Sequence, residues 1–271
     1  MIKQAIIPLA GLGTRLLPLT SVFAKELLPI NGKPGLEYII EECIEAGIKE
    51  IVFIISKKKM MIKKYFYNDK FYKDIIKKKN DPNIIKEYKK ILKYKKMIKF
   101  VFQDKPLGTG DAVYKTKKFI TDKYFLMLLP DDLIIKKNCS KSMIAVHNKF
   151  KASVMASMKV NKNDVSRWGI YNIRKKIDKN NFIINNVVEK PSIKTSPSNN
   201  AVIGRYILPK TIFSKLKSLK PGKSGEFHIT DAIQALIEDD NQFIGHNFSG
   251  KYLDCGTMKG YIKSTLEISK Q

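Results

Sequence analysis

The sequence contains no run of eighteen uncharged apolar residues, the length a bilayer-spanning helix needs, so no transmembrane segment is expected. Its apolar start, Ile6-Ile7-Pro8-Leu9-Ala10, is too short for a secretory leader and reads as a buried strand. Cysteine is sparse. Cys43, Cys139 and Cys255 are odd in number, far apart and match no metal-ligand spacing, so neither a disulfide framework nor a zinc site is indicated. A reducing, cytoplasmic setting is the natural expectation. Arginine is also scarce, at four residues, although the formal charge is +26. Taken alone, that charge would raise nucleic acid or an anionic membrane as a partner. Abundant Lys, Ile and Asn with little Arg is what an AT-rich coding sequence produces, and a surface built for polyanions would recruit arginine forks. We therefore expect no nucleic-acid and no membrane partner, and a lysine surface that favours capture of small phosphorylated molecules.

Two nucleotide signatures are missing as well. The dinucleotide fingerprint requires a third glycine where Leu16 stands, and Gly222-Lys223-Ser224 has Lys217 where a P-loop needs glycine.

What the 271-residue chain does contain is enough apolar material, 44%, for a substantial core. Ala5 to Ala10 reads as a strand feeding a glycine turn; Leu36 to Ala46 has helical periodicity that Gly47 stops; Ile51 to Ile55 is the next buried strand. Strand, helix, strand at this spacing predicts a βαβ unit and a parallel sheet covered on both faces. Further strands are expected at Ile98 to Phe102, Tyr124 to Leu129, Ser153 to Val160, Ile183 to Val188 and Ala201 to Leu208. Helices are expected at Asp111 to Ile120, Ser140 to Lys149, Ile212 to Leu219 and Ile229 to Asp239. The lysine-rich segment from Lys57 to Lys99 reads as helices outside the sheet, interrupted at Asp81-Pro82, and Lys194 to Asn200 as a mobile loop. The fold class is α/β, a doubly wound, mixed and mostly parallel sheet flanked by helices.

The strongest local signal for chemistry is Leu9-Ala10-Gly11-Leu12-Gly13-Thr14-Arg15, a glycine turn directly after the first strand, with Lys25-Glu26 ten residues on. Glycines let the main chain approach an anion, its N–H groups can face phosphates, and Arg15 and Lys25 can neutralise a triphosphate. Gln103 follows a strand and precedes a glycine-bearing turn; its amide can both donate and accept, the complement of a uracil edge. Thymine offers the same edge, which leaves UTP and dTTP unseparated. Asp131 and Asp132 end a strongly apolar strand, where open α/β sheets bind ligands and where hard oxygen donors suit magnesium.

In order along the chain stand Gly11-Leu12-Gly13-Thr14-Arg15-Leu16-Leu17-Pro18, Lys25-Glu26-Leu27-Leu28-Pro29-Ile30, Gln103 with Pro106-Leu107-Gly108-Thr109-Gly110, and Leu129-Pro130-Asp131-Asp132. They are followed by Trp168-Gly169, Val188-Glu189-Lys190-Pro191, Gly204-Arg205-Tyr206, Gly225 to Asp231, and Tyr252-Leu253-Asp254-Cys255-Gly256-Thr257. This series resembles the sugar-nucleotide pyrophosphorylases, their uridylyltransferase branch above all, over nearly the whole chain. The resemblance implies one Rossmann-like nucleotidyltransferase domain spanning 1–271, with a nucleotide-binding half to about 135 and a sugar-binding half after it. It implies magnesium-dependent joining of UTP to glucose 1-phosphate, giving UDP-glucose and pyrophosphate, in a homo-oligomer. Thymidylyl transfer from dTTP is the alternative.

By the same resemblance, Arg15 and Lys25 act on the triphosphate and Lys190 on the sugar phosphate. Ala10, Gly11, Gly13, Thr14, Gln103 and Gly108 hold the nucleotide, Gly169, Glu189 and Lys190 the hexose, and Asp131 and Asp254 the metal. Thr230 and Asp231 resemble a stretch lining the sugar side. Departures from the family pattern occur at Ala24, where proline is usual, at Ser21, where a basic residue is common, at Asp111, where histidine is common, and at His228, where glutamine is usual.

Overall fold

The computed structural model describes residues 1–222 and 225–270; Lys223 and Ser224, two residues of the tripeptide compared above with a P-loop, lie outside the described residues. In chain order the elements are β1 (Gln4–Pro8), β2 (Pro29–Ile30), β3 (Lys33–Pro34), α1 (Gly35–Glu45), β4 (Glu50–Ile55), α2 (Met60–Tyr67), α3 (Asp69–Lys79), α4 (Pro82–Met97) and β5 (Ile98–Phe102). Then come α5 (Thr109–Tyr114), β6 (Tyr124–Leu128), β7 (Asp132–Ile135), α6 (Cys139–Phe150), β8 (Ser153–Lys159), β9 (Gly169–Lys176), β10 (Asn181–Glu189) and β11 (Asn200–Pro209). The chain closes with α7 (Ile212–Ser218), α8 (Ile229–Glu238), β12 (Phe243–Asn247), β13 (Lys251–Asp254) and α9 (Met258–Ser269). Among the described residues no helix is long and apolar enough to cross a membrane.

Nine strands form one sheet in the order β5-β4-β1-β6-β11-β8-β12-β10-β9. The first four run parallel, their near-continuous apolar sequence matching burial on both faces. Beyond β6 the expectation of a mostly parallel sheet fails: β11 is antiparallel to both β6 and β8, and β10 is antiparallel to β12 and β9. Only β12 returns parallel to β8. The cause is connectivity, since β9 and β10 are joined directly as a hairpin whereas the early strands are separated by helices. Helices α1, α2, α4, α6 and α9 pack on one face of the sheet, and α5, α7 and α8 on the other, so the molecule is doubly wound.

Local sequence explains several boundaries. α1 ends where Gly47, at φ +86°, lets Ile48 N–H close back on Cys43 O at 3.0 Å. The break expected at Asp81-Pro82 is the start of α4: Asp81 accepts from Asn83 N at 2.7 Å and Pro82 occupies the first turn, where a missing N–H costs nothing. α5 begins and ends earlier than its periodicity predicts. The short strands β2, β3, β7, β12 and β13, the eight-residue β9 and the helix α9 are not anticipated from the sequence. Of these, β7 and β13 matter most, because they pair antiparallel with Asp132 opposite Asp254.

Candidate active site

In the order β5-β4-β1-β6 the chain reverses direction of travel between β1 and β6, and open α/β sheets leave a crevice at such a point, outside the carboxyl ends of the strands. A cleft of about 470 Å³ lies there. Ala10, Gly11, Gly13, Thr14 and Lys25 line it together with Gln103, Gly108 and Asp131. The turn after β1 keeps its shape through Gly13, at φ +71°, whose carbonyl accepts from Thr20 Oγ1 at 2.8 Å; a Cβ there would lie 3.0 Å from Thr20 Cγ2.

The charged groups converge on Asp131. Its Oδ2 accepts from Lys25 Nζ at 2.7 Å and from Arg15 Nη2 at 3.2 Å. Burial works against the Lys25 ammonium, but Asp131 and Glu26 outweigh it and hold its pKa above the ordinary lysine value. Burial likewise works against the Asp131 carboxylate, and Lys25 and Arg15 reverse that, holding it below the usual range. Glu26 is itself buried against Lys59 Nζ at 2.7 Å, so the residue behind Lys25 is an ion pair the sequence did not announce.

Asp132, next in the chain, does something else. It is buried, accepts from Gly204 N at 2.9 Å and Tyr252 Oη at 2.6 Å, and burial with the neighbouring Asp131 charge pushes its pKa up to about 6. It ties the Asp131 turn to β11 and β13. Arg205 ties it a second time: wholly buried in β11, it donates to Leu129 O at 3.1 Å, Gly204 O at 3.0 Å and Asp132 O at 2.6 Å, while Glu42 of α1 accepts from its Nη2 at 2.8 Å and its Nε at 3.1 Å. The signal for this was visible, a lone arginine within an otherwise apolar strand, which must find a partner to be buried.

The pairing of β7 with β13 carries Asp254 to Asp131, and Cys255 N donates to Asp131 O at 2.8 Å. A Cβ on Gly256 would stand 2.7 Å from both Arg15 Nη2 and Asp131 Oδ2 and 3.2 Å from Asp254 Oδ1, so glycine keeps open a cradle faced by two carboxylates. Two hard oxygen donors beside this cleft fit a divalent ion completed by substrate oxygens. Among the described residues no group of three or more His, Cys, Asp or Glu forms a closed metal cage.

Gln103, buried at the end of β5, donates through Nε2 to Gly108 O at 3.0 Å and Asp111 Oδ2 at 2.8 Å. The Gly108 turn is braced from the second half of the chain: Gly110 N donates to Phe227 O at 2.7 Å, and Phe227 N to Leu107 O at 2.8 Å. Glu226 and His228 line the same cleft. The segment from Gly225 to Ile229 thus packs against the Gly108 turn, while Asp231 is exposed in the first turn of α8.

Gly169, Glu189 and Lys190 meet elsewhere, at the end of the β9–β10 hairpin. Gly169 pairs with Glu189, and a Cβ on it would lie 3.0 Å from Glu189 Oε2. Lys190, at φ +46°, donates its backbone N–H to Trp168 O at 3.0 Å and holds its ammonium 4.0 Å from Glu189. Trp168 packs edge-on to Tyr252 at 5.5 Å, which connects this hairpin to the Asp132 side of the cleft.

The sequence as a whole is similar to curated relatives. It is 37% identical over 269 residues to UTP--glucose-1-phosphate uridylyltransferase 2 of Staphylococcus saprophyticus, covering 99% of this chain and 92% of that protein. It is 35% identical over 271 residues to the UTP--glucose-1-phosphate uridylyltransferase of Bacillus subtilis, covering all of this chain and 92% of the relative. A crystal structure of UDP-glucose pyrophosphorylase complexed with UDP-glucose superimposes with a TM-score of 0.87 at 34% identity, over 100% of this chain and 99% of the other. The nucleotidyl transferase family model matches residues 4–271, which takes in the glycine turn, the Asp131 cradle and the β9–β10 hairpin alike, and the chain belongs to that family.

Proposed function

We propose that this chain is a uridylyltransferase that joins UTP to glucose 1-phosphate and releases UDP-glucose and pyrophosphate. The observation that carries the reading is the meeting of Arg15, Lys25, Asp131 and Asp254 around one open cradle, beside a cleft that Lys25 and Asp131 line together with Gln103. A phosphate oxygen of the sugar phosphate attacks the α-phosphorus of the nucleotide, a bond to that oxygen forms as the bond to pyrophosphate breaks, and no covalent enzyme intermediate is required. The nucleophile is already anionic, so the protein's task is positioning and charge stabilisation.

The amides of Ala10 to Thr14 take the triphosphate, and Lys25 and Arg15 neutralise it. Lys25 is well prepared for this, because its surroundings keep it protonated. Gln103 reads the base. Glu189 and the Gly169 backbone hold hexose hydroxyls, and the exposed Lys190 ammonium meets the incoming phosphate. Asp131 and Asp254 would hold magnesium, which when bound offsets phosphate charge at the reacting oxygens. The nucleotide side belongs mainly to the first 135 residues and the hexose side to the rest, with Glu226 and His228 crossing over to the nucleotide cleft. The three cysteines, unpaired among the described residues, suit a cytoplasmic enzyme.

Pyrophosphate release from the purified protein, with glucose 1-phosphate and magnesium, tests the reading when UTP and dTTP are run in parallel beside EDTA and sugar-free controls. Faster sugar-dependent release with UTP is expected. Preference for dTTP moves the enzyme to the thymidylyl branch, and silence with both removes the proposal.

A further inference from the structure

The amide of Gln103 is not free to choose which end it offers. Nε2 donates both to Gly108 O and to Asp111 Oδ2, at 3.0 and 2.8 Å. A backbone carbonyl and an ionised carboxylate only accept, so both amide hydrogens are committed and the network itself assigns nitrogen and oxygen. Among the described residues no donor is bonded to Oε1, the one polar atom the side chain has left in a cleft it lines.

Both acceptors are anchored. Gly108 O also accepts from Ala112 N at 3.2 Å, and a side chain at Gly108 would meet Phe227 O at 2.5 Å, so the turn has no room to shift. Asp111 sits in the first turn of α5 with Lys115 Nζ at 3.6 Å on its other oxygen.

A lone acceptor at this position has a chemical consequence. Uracil presents an imide N–H that an oxygen can accept, whereas cytosine presents an unprotonated ring nitrogen there, so oxygen would face lone pair against lone pair. A glutamine able to turn over would offer its NH2 group to cytosine instead. We propose that Asp111 is a specificity-determining residue that acts through Gln103: its carboxylate fixes the amide with oxygen toward the base and thereby excludes cytidine nucleotides. This rests on the uridylyltransferase reading above and adds to it. Thymine carries the same imide, and Asp111 therefore does nothing to separate UTP from dTTP.

The test compares kcat and KM for UTP, dTTP and CTP, each with glucose 1-phosphate, in the wild-type enzyme, Asp111→Ala, Asp111→Asn and the control Asp104→Ala. Asp104 is a neighbouring surface carboxylate whose loss changes net charge equally. In Asp111→Ala the KM for UTP should rise about 10-fold and the preference for UTP over CTP in kcat/KM should fall by about 10- to 100-fold, the scale on which a lost polar contact discriminates. The UTP to dTTP ratio should stay put, Asp111→Asn, which keeps one acceptor, should recover most of the discrimination, and Asp104→Ala should resemble wild type. Thermal melting checks that the variant is folded; if Asp111→Ala is not, Asp111→Ser is read in its place. A wild-type enzyme active with UTP alongside an Asp111→Ala variant with unchanged UTP to CTP preference overturns the assignment of Asp111 alone. A wild-type enzyme inactive with UTP overturns the uridylyltransferase reading and this inference with it.

Discussion

The two ends of the site are built differently. Around Asp131 the charges other than Asp254 are paired before any substrate arrives: Lys25 and Arg15 on the carboxylate, Lys59 on Glu26 behind it, and Arg205 with Glu42 clamping the turn from below. At the β9–β10 hairpin, Glu189 and Lys190 stand 69% and 66% exposed, with a 4.0 Å approach between them. Such an exposed pair contributes little on its own. On the proposed assignment, the contrast means that phosphate handling is prepared in advance, where displaced charge is costly to rearrange, while the hexose end is left for the substrate to complete.

Damage to the prepared end should therefore be severe. Asp131→Asn removes the negative charge on which Lys25 and Arg15 converge, and kcat should fall by about 10³-fold or more, on the scale of lost electrostatic preorganisation. Steady-state kinetics with a normal melting curve would establish this; a fall under 10-fold would break the comparison. Arg205→Met strands Glu42 and frees two carbonyls of the Asp131 turn. Breaking one side of a buried pair costs about 3–5 kcal/mol, which thermal melting should register as a loss of about 10 °C or more. At the open end, Lys190→Ala should lower kcat/KM for glucose 1-phosphate by about 10²-fold while leaving UTP binding and the melting temperature as they were, since the side chain is exposed and contributes only to the arriving phosphate. Near-normal activity would remove Lys190 from the mechanism.

The smallest effect concerns stability in the sheet where β12 meets the start of β10. His246 pins β12 to the start of β10 through Asn181 at 2.8 Å, and burial holds its pKa below the ordinary histidine value of about 6.5. As pH falls beneath 6.5 the unfolded chain takes up this proton first, so stability present above that pH is lost until the folded imidazole titrates too. Urea midpoints followed across that window should decline, and His246→Asn should flatten the decline.

How much of this could be read without coordinates depended on the range of the interaction. The early strands, α1 and the glycine turn were legible because apolar periodicity and turn chemistry are local. Asp131 and Asp254 were named from resemblance to a family, but nothing local joins them: their contact depends on β7 and β13, two four-residue strands too short to carry a pattern. β9 escaped notice because its second half, Arg174-Lys175-Lys176, is charged and exposed, and only its pairing to β10 makes it a strand. Asp132 reads in sequence like a second ligand, yet its burial under Tyr252 and Gly204 makes it a bolt for the loop. Arg205 and Lys59 act through partners far away in sequence, Glu42 and Glu26, and such pairings are set by tertiary packing. Asp111 stood out only as a departure from a pattern until its bond to Gln103 gave it a role.

The central claim is tested most directly by following UTP labelled at the α-phosphorus through one turnover with glucose 1-phosphate and magnesium. The account predicts that the label appears in UDP-glucose, with an equal amount of unlabelled pyrophosphate released only when the sugar phosphate is present. Label retained in UMP, or pyrophosphate released without the sugar, would contradict it.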